Sequence, residues 1–419
     1  MSEAFKFVGR EFDYDTYVAT FHYQNQFDQD FTESIQFVKP TKREIGSEEK
    51  ALIERAMDLS FFLIGTSYYK AHPTKTAIYD SFKLDEFQAK FFNQVYQEGL
   101  SQYAYENNLT REDLLHFEAN TEDNQTAETY VGNGILAMQS GGKDSLLVTE
   151  LLREKGLHFT PFFVAPSDSH PAILDQFDEP LVVLKRTIDR EALKNAGGLN
   201  GHVPITYIIE SLAIIQAILL GKNTVLASIG QEGNEAHATI GDLAVNHQWS
   251  KTWTAEQSLA EYVKRYISPN IKVGSPIRAY SEVKISELFA KKCWEKFGHQ
   301  FSSCNVANYT QGTDNSGLKW CGKCAKCANS FLVFAPFVPA EELKSIFGGK
   351  DLFAEPELTD DFKGLLGVEG AIKPFECVGE VGELRAAYHM KQPGYQDLSF
   401  IVPESDFDYN KTYPHQDLI

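Results

Sequence analysis

Membrane-length apolar runs are missing from this chain of 419 residues. The most apolar stretch, Tyr207 to Leu220, contains Glu210 and Gln216 and falls short of the ~20 residues that a bilayer span needs. It predicts a buried helix instead. The opening MSEAFKFVGREFDYD holds no uninterrupted apolar segment of secretory-signal length. Cysteine is scarce, six in all, which excludes a disulfide scaffold in a chain of this size. Four of them, Cys304, Cys321, Cys324 and Cys327, fall close together, which favours a metal over disulfides and a reducing compartment. Basic charge is also short: 39 Lys and Arg against 58 Asp and Glu leave a formal net charge of −19. Such a field repels nucleic acid and anionic membranes but allows a small anionic substrate in a dedicated pocket. Internal repeats and low-complexity tracts are absent. A soluble cytoplasmic protein acting on a small molecule is the expectation these absences leave.

With 43% hydrophobic residues the chain can fill a sizeable core, and its length suggests two or three domains. Residues 1–128 read as an N-terminal α+β region. Aromatic and polar residues alternate up to about residue 40, predicting an antiparallel strand pair. The period then becomes helical, with Ala51, Ile53, Ala56, Leu59, Leu63 and Ile64 on one face and a second helix over roughly Leu84 to Gln102. The polar stretch Glu118 to Thr129 reads as a linker. Residues 129–300 change to βα grammar: NGILAMQ, FTPFFVA, LVVLK and NTVLAS are short apolar strands, and LLVTELLREKG is a helix ending at Gly156. That alternation predicts an α/β domain with a parallel sheet covered on both faces. Residues 301–419 hold the cysteine cluster and a mixed C-terminal region.

Ser140, Gly141, Gly142, Lys143, Asp144 and Ser145 follow one predicted strand and open a helix. Two glycines let the backbone approach a phosphate, the helix N-terminus favours anions, and Lys143 adds a charge. Asp144 is otherwise unfavourable in such a loop, so a magnesium ion bridging it to the phosphates is the natural resolution. The loop is expected to face ligand rather than core. It is not a Walker A loop; SGGKDS resembles the signature of the PP-loop ATP pyrophosphatases. That resemblance implies an adenine nucleotide hydrolase-like sheet domain that cleaves ATP between the α- and β-phosphates.

Cys321, Cys324 and Cys327 are spaced C-x2-C-x2-C, and Cys304 lies upstream. Four thiolates suit a structural tetrahedral zinc, with an iron–sulfur cluster as the other metal reading. Lys319, Lys323 and Lys326 interleave with the cysteines and would offset their charge. Three further strings pack titratable residues among Gly, Pro and aromatics, as pocket loops do: Asn200 to Thr206, Val245 to Lys251, and Lys373 to Glu380.

After SGGKDS, the strings NGHVPIT, VNHQWSK, SCN, WCGKCAKC with a following APF, and KPFECVGE occur in that order. Together with GTSYYKA, from Gly65, they closely resemble the UDP-N-acetyl-α-D-muramoyl-L-alanyl-L-glutamate epimerase family (MurL), over about Ser60 to Glu383. The resemblance implies an enzyme that uses ATP and magnesium to invert the terminal glutamate of UDP-MurNAc-L-Ala-L-Glu for peptidoglycan synthesis. Its charge logic is simple. Removing the α-hydrogen beside a free carboxylate would build a second negative charge, and adenylating that carboxylate removes one. Candidate proton carriers are His202, His247, Lys251, Glu376 and Cys377, with His202 and Cys377 ranked first. No ligand is assigned between Ser228 and Asn234, where SIGQEGNEA departs from the family pattern. The alternatives are a PP-loop enzyme amidating or thiolating an adenylated nucleobase precursor, and a non-catalytic nucleotide sensor. Thiolation would need a persulfide cysteine outside the knuckle, where only Cys293 and Cys377 remain.

Overall fold

The computed structural model describes residues 4–41, 43–122, 127–167, 169–310 and 317–419. Its N-terminal segment forms three strands rather than a pair: β1 (Ala4–Asp13), β2 (Val18–Gln24) and β3 (Asp30–Gln36). They make an antiparallel meander. A bulge between Phe7 and Gly9 shifts the register of β1, so Phe5 and Phe7 before it and Phe12 after it all point inward. Helix α1 (Ser47–Tyr69) covers this face and is buried from Leu52 almost to its end, since α6 (Ile205–Leu219) packs on it as well. The expected apolar stripe on α1 is therefore only part of what it buries.

Short β4 (Thr76–Ile78) pairs with β1. The second expected helix is two, α2 (Glu86–Gln97) and α3 (Ser101–Glu106). The break falls at Gly99, where an added Cβ would lie 2.4 Å from the Val95 carbonyl oxygen and 3.0 Å from Trp249. Described residues of the expected linker have no helix or strand; Asp123 to Thr126 lie outside the described residues.

The βα grammar is borne out. Strands β5 (Ile135–Met138), β6 (Phe159–Ala165), β7 (Val182–Thr187) and β8 (Thr224–Leu226) pair in parallel, and β11 (Lys272–Gly274) joins β8. Helix α4 (Lys143–Glu154) follows β5, and Gly156 closes it at φ 66°. Helices α5 (Arg190–Ala196) and α7 (Trp253–Tyr262) and the hairpin β9 (Ala238–Ile240) with β10 (Leu243–Val245) complete this part. Strand β3 pairs antiparallel with β7, so meander and parallel strands make one sheet in the order β11-β8-β5-β6-β7-β3-β2-β1-β4.

Alternate residues of β5 serve two cores. Leu136 joins α1, α2, α6 and α7 on one face, while Ile135 and Ala137 join the other. That second core gathers α4 with α8 (Glu282–Lys292), α9 (Trp294–Phe297), α10 (Ala325–Phe334), α11 (Ala340–Ile346), α12 (Thr359–Leu365) and α13 (Val381–His389). The tail after α13 runs without helix or strand and is pinned at its end by Lys155, which donates to the Ile419 carbonyl oxygen at 2.8 Å. Among the described residues, no helix is long and apolar enough to cross a membrane.

Candidate active site

Strand β5 lies between β6 on one side and β8 on the other, so the direction of sheet growth reverses there. Ligands of open parallel sheets sit at this reversal, outside the carboxyl ends of the strands. The loop Ser140 to Ser145 leaves β5 at that point. Gly141 takes φ 76°, a conformation that favours glycine, and an added Cβ would meet Leu318 at 2.7 Å. Gly142 caps α4; the Ser145 hydroxyl donates to its carbonyl at 3.1 Å and accepts from Ser140 N at 3.2 Å.

Lys143 is not exposed, contrary to the expectation for this loop. Its side chain is 6% accessible, with Nζ 2.6 Å from Asp144 Oδ1 and 3.4 Å from Glu282 Oε1. Burial would lower its ammonium, but Asp144, Glu282 and Glu232 together hold it above its ordinary value. Burial raises Glu232, and the carboxylates Asp144 and Glu282 add to that. For Glu282 burial acts in the same sense, yet Lys143 and Lys326 outweigh it and lower it. Glu282 opens α8, and Asn329 of α10 donates to its Oε1 at 2.9 Å. Among the described residues, Glu232 Oε2 and Glu282 Oε2 are buried without a hydrogen-bond partner. Asp144 and Glu282 both act electrostatically on Glu232, so the three carboxylates share the neighbourhood of Lys143.

The three pocket strings converge here. Lys251 donates to Cys377 Sγ at 3.0 Å, and Lys326 donates to the Cys377 carbonyl oxygen. Burial alone would raise the thiol, but Lys251 and Lys326 outweigh it and hold it below its ordinary value. Gln248 ties two of the strings by donating to the Val378 carbonyl at 2.9 Å, and Asn305 of the SCN string donates to Glu376 Oε2 at 2.9 Å. The His202 and His247 rings lie 4.3 Å apart, and His237 is 6.2 Å from His247 and stacked on Phe375 at 5.5 Å. All three are neutral. Burial first, then nearby cations and rings, pushes His202 and His237 down to about 3 and His247 to about 4.

The knuckle cysteines also meet. Sulfur separations are 3.8 Å for Cys304–Cys324, 3.7 Å for Cys321–Cys327 and 3.6 Å for Cys324–Cys327, and the four sulfurs all lie within 4.8 Å of one another. A tetrahedron with metal–sulfur bonds of about 2.3 Å has edges of about 3.8 Å, so the four fit one ion such as zinc. Backbone N–H groups of Ala307, Gly322 and Lys323 each point at a sulfur from 3.4 Å. Lys319 and Lys323 are exposed beside the cluster, while Lys326 turns to Cys377 and so links the knuckle to the crevice. Cys293 is fully buried in the core, and burial with Glu150 and Glu154 pushes it up to about 12, which makes it inert.

Sequence reasoning missed Glu232, Glu282, His237 and Asn329. Glu282 sits in an ordinary helical stretch that carries no motif, and Asn329 follows the last knuckle cysteine by two residues, where the cysteines drew the attention. Glu232 lies in the stretch to which no ligand was assigned, although its two flanking glycine-containing turns after a strand were a usable signal.

Family comparison matches the MurL N-terminal domain over residues 1–275 and the MurL C-terminal domain over residues 300–406. Three curated relatives each bear the name UDP-N-acetyl-alpha-D-muramoyl-L-alanyl-L-glutamate epimerase. The one from Xanthomonas oryzae pv. oryzae is 31% identical, covering 91% of this chain and 84% of the relative. That from Salinispora tropica is 33% identical over 96% of this chain and 90% of its own. The third, from a Micromonospora species, is 33% identical over 91% and 85%. Both family domains in order and identities of 31–33% over nine-tenths or more of the chain place it in the MurL epimerase family.

Proposed function

We propose that this chain is an ATP- and magnesium-dependent isomerase of the reducing cytoplasm that inverts the terminal L-glutamate of UDP-N-acetylmuramoyl-L-alanyl-L-glutamate to D-glutamate, for peptidoglycan synthesis. The relatives' shared name supplies the substrate. One observation carries the chemistry: a phosphate-type loop and two kinds of proton carrier, the Lys251–Cys377 pair and the neutral histidines, share the crevice at the sheet reversal.

The substrate α-carboxylate attacks the α-phosphorus of ATP, forming a C(O)–O–P bond and releasing pyrophosphate. Ser140, Gly141, Gly142, Lys143 and Ser145 hold the phosphates in this PP-loop reading. Magnesium, when bound, would supply charge neutralisation, and Asp144 and Glu232 are the carboxylates proposed to hold it. In the acyl-adenylate the negative charge has moved from the carboxyl group to the phosphate, so the carbonyl can accept the enolate charge and the α-proton can pass to a base on one face. A proton returns from the opposite face, and water cleaves the anhydride to AMP and the inverted acid. Cys377, whose thiol Lys251 and Lys326 hold below its ordinary value against burial, serves one face, and the His202–His247 pair serves the other. The knuckle holds zinc to fix the chain, with Lys326 reaching from it to Cys377.

The test is solvent exchange. In deuterium oxide, label should enter the glutamate α-position only when both ATP and magnesium are present. Exchange without ATP would overturn the adenylation reading.

A further inference from the structure

Helix α3 is a shelf for both histidine loops. Ser101 Oγ accepts from Asn246 N at 3.1 Å, and Asn107 Nδ2, just past the helix, donates to the Asn200 carbonyl at 3.0 Å, while Tyr103 OH donates at 2.9 Å to the carbonyl of Lys70, whose Nζ donates to the Gly201 carbonyl at 3.1 Å. Between these anchors, Gln102 is buried with its Oε1 only 2.6 Å from His247 Nδ1. Its amide orientation is determined by the other end: Nε2 donates to Glu106 Oε1 at 2.7 Å, so a carbonyl oxygen, which can only accept, faces the ring. A neutral imidazole in this contact must carry its proton on Nδ1, which leaves the Nε2 lone pair free. Nothing in the pocket strings marks Gln102, because it lies about a hundred residues before the nearest of them.

We propose that Gln102 is a positioning residue that locks His247 in its Nδ1–H tautomer and so makes Nε2 the proton acceptor on one face of the inversion. This rests on the reading of His247 as a base given above. Glu106 in turn orients Gln102, forming a relay in which only the ring exchanges a proton with substrate. The arrangement parallels the general rule that a base is as effective as the group that holds its other nitrogen. The groups facing His247 are His202, His237, Lys251, Lys326, Glu376 and Glu106. Lysines on one side and burial keep the ring uncharged, so the tautomer rather than the charge is what Gln102 decides.

The experiment compares the full-length protein with Gln102→Leu, Gln102→Glu and His247→Gln. The His247 tautomer is read by two-bond proton–nitrogen correlation, its signals assigned by their loss in His247→Gln, and inversions per AMP released are measured in parallel. The wild type should show protonated Nδ1 and bare Nε2. Gln102→Leu should mix the tautomers and lower inversions per AMP by about tenfold or more, a part of the 10²–10⁴ that a positioned base contributes. Gln102→Glu should keep the tautomer and restore inversion at high pH. Its carboxylate favours the imidazolium, so the acid limb of its inversion profile should move to higher pH. If the leucine variant does not fold, this profile carries the test alone. An Nε2–H ring in the wild type, an unchanged tautomer in Gln102→Leu, or an unmoved profile in Gln102→Glu would each overturn the proposal. Normal inversion by His247→Gln would overturn the base assignment beneath it, whichever tautomer is seen.

Discussion

The two halves of the crevice answer burial in opposite ways. Lys143, Lys251 and Cys377 have their charged forms favoured despite burial, Lys143 by its carboxylate neighbours and Lys251 and the thiol by each other. Beside them His202, His237 and His247 are stripped of charge. The two outcomes share a cause. Lys251 acts on Cys377 and on both His202 and His247, and a cation favours a thiolate while disfavouring an imidazolium. One ammonium therefore readies a base of each type.

The largest expected effect breaks the charged half. Lys143→Ala should lower pyrophosphate release and inversion by at least about a hundredfold, the usual cost of a lost electrostatic donor. Because Lys143 is buried against Glu282, the variant should also lose about 3 kcal/mol of stability, seen as a lower Tm. Full turnover in a folded Lys143→Ala protein would sink the phosphate-loop assignment.

Next, the two halves can be set against each other. Cys377→Ala and His202→Ala should still consume ATP and release AMP, yet lose inversion by about 10²–10⁴-fold. Assaying AMP and D-glutamate side by side identifies a base wherever the two separate. If both variants invert normally, His247, Lys251 and Glu376 become the carriers to test.

Smaller in turnover but large in stability is the knuckle. One zinc per chain should be found, and Cys324→Ser should lose metal and melting temperature together, since a structural site contributes folding free energy. Metal-free protein of unchanged Tm would refute the site, and iron with sulfide would reassign it.

The smallest effect sharpens the comparison through pH. His202 is depressed to about 3 in the fold, so below its free value the unfolded chain binds the extra proton. Relative to His202→Asn, the wild type should lose stability as pH falls from about 6.5, by up to about 1.4 kcal/mol per pH unit. Glu383, raised to about 8 by burial and then Glu282, has the opposite sign. Relative to Glu383→Gln, the wild type should lose stability as pH rises from about 4.5 towards 8. Parallel urea titrations across these ranges would show whether the slopes oppose.

Much of this was legible in the chain order. Short apolar runs separated by helical periods marked β5 to β8, because strands buried on both faces read as continuous hydrophobic segments. The meander reads as a pair in the sequence because the bulge near Phe7 breaks the alternation of β1, so β1 does not stand out as a strand of its own. The Gly99 break was hidden because the apolar period runs through it; only Val95 and Trp249 crowding the glycine show why the helix stops. In the site, His202, His247, Lys251, Glu376 and Cys377 stood out by their company of Gly, Pro and aromatics. Their relation to one another did not.

What the sequence alone determined is local: the glycine pair that lets a backbone approach phosphate, the cysteine spacing that lets one knuckle wrap an ion, and the ordered strings that mark the family. The first two depend on neighbours within a few residues, where chain geometry leaves little choice, and the third on the order of short strings along the chain. Tertiary structure decided the rest. It closed Cys304 onto a knuckle 17 residues downstream, turned Lys326 from the cysteines to Cys377, buried Lys143, and brought Glu282, Asn329 and Gln102 into the crevice. Charge states and tautomers followed from that assembly, because desolvation and Coulomb energies depend on distances through space that sequence separation does not encode.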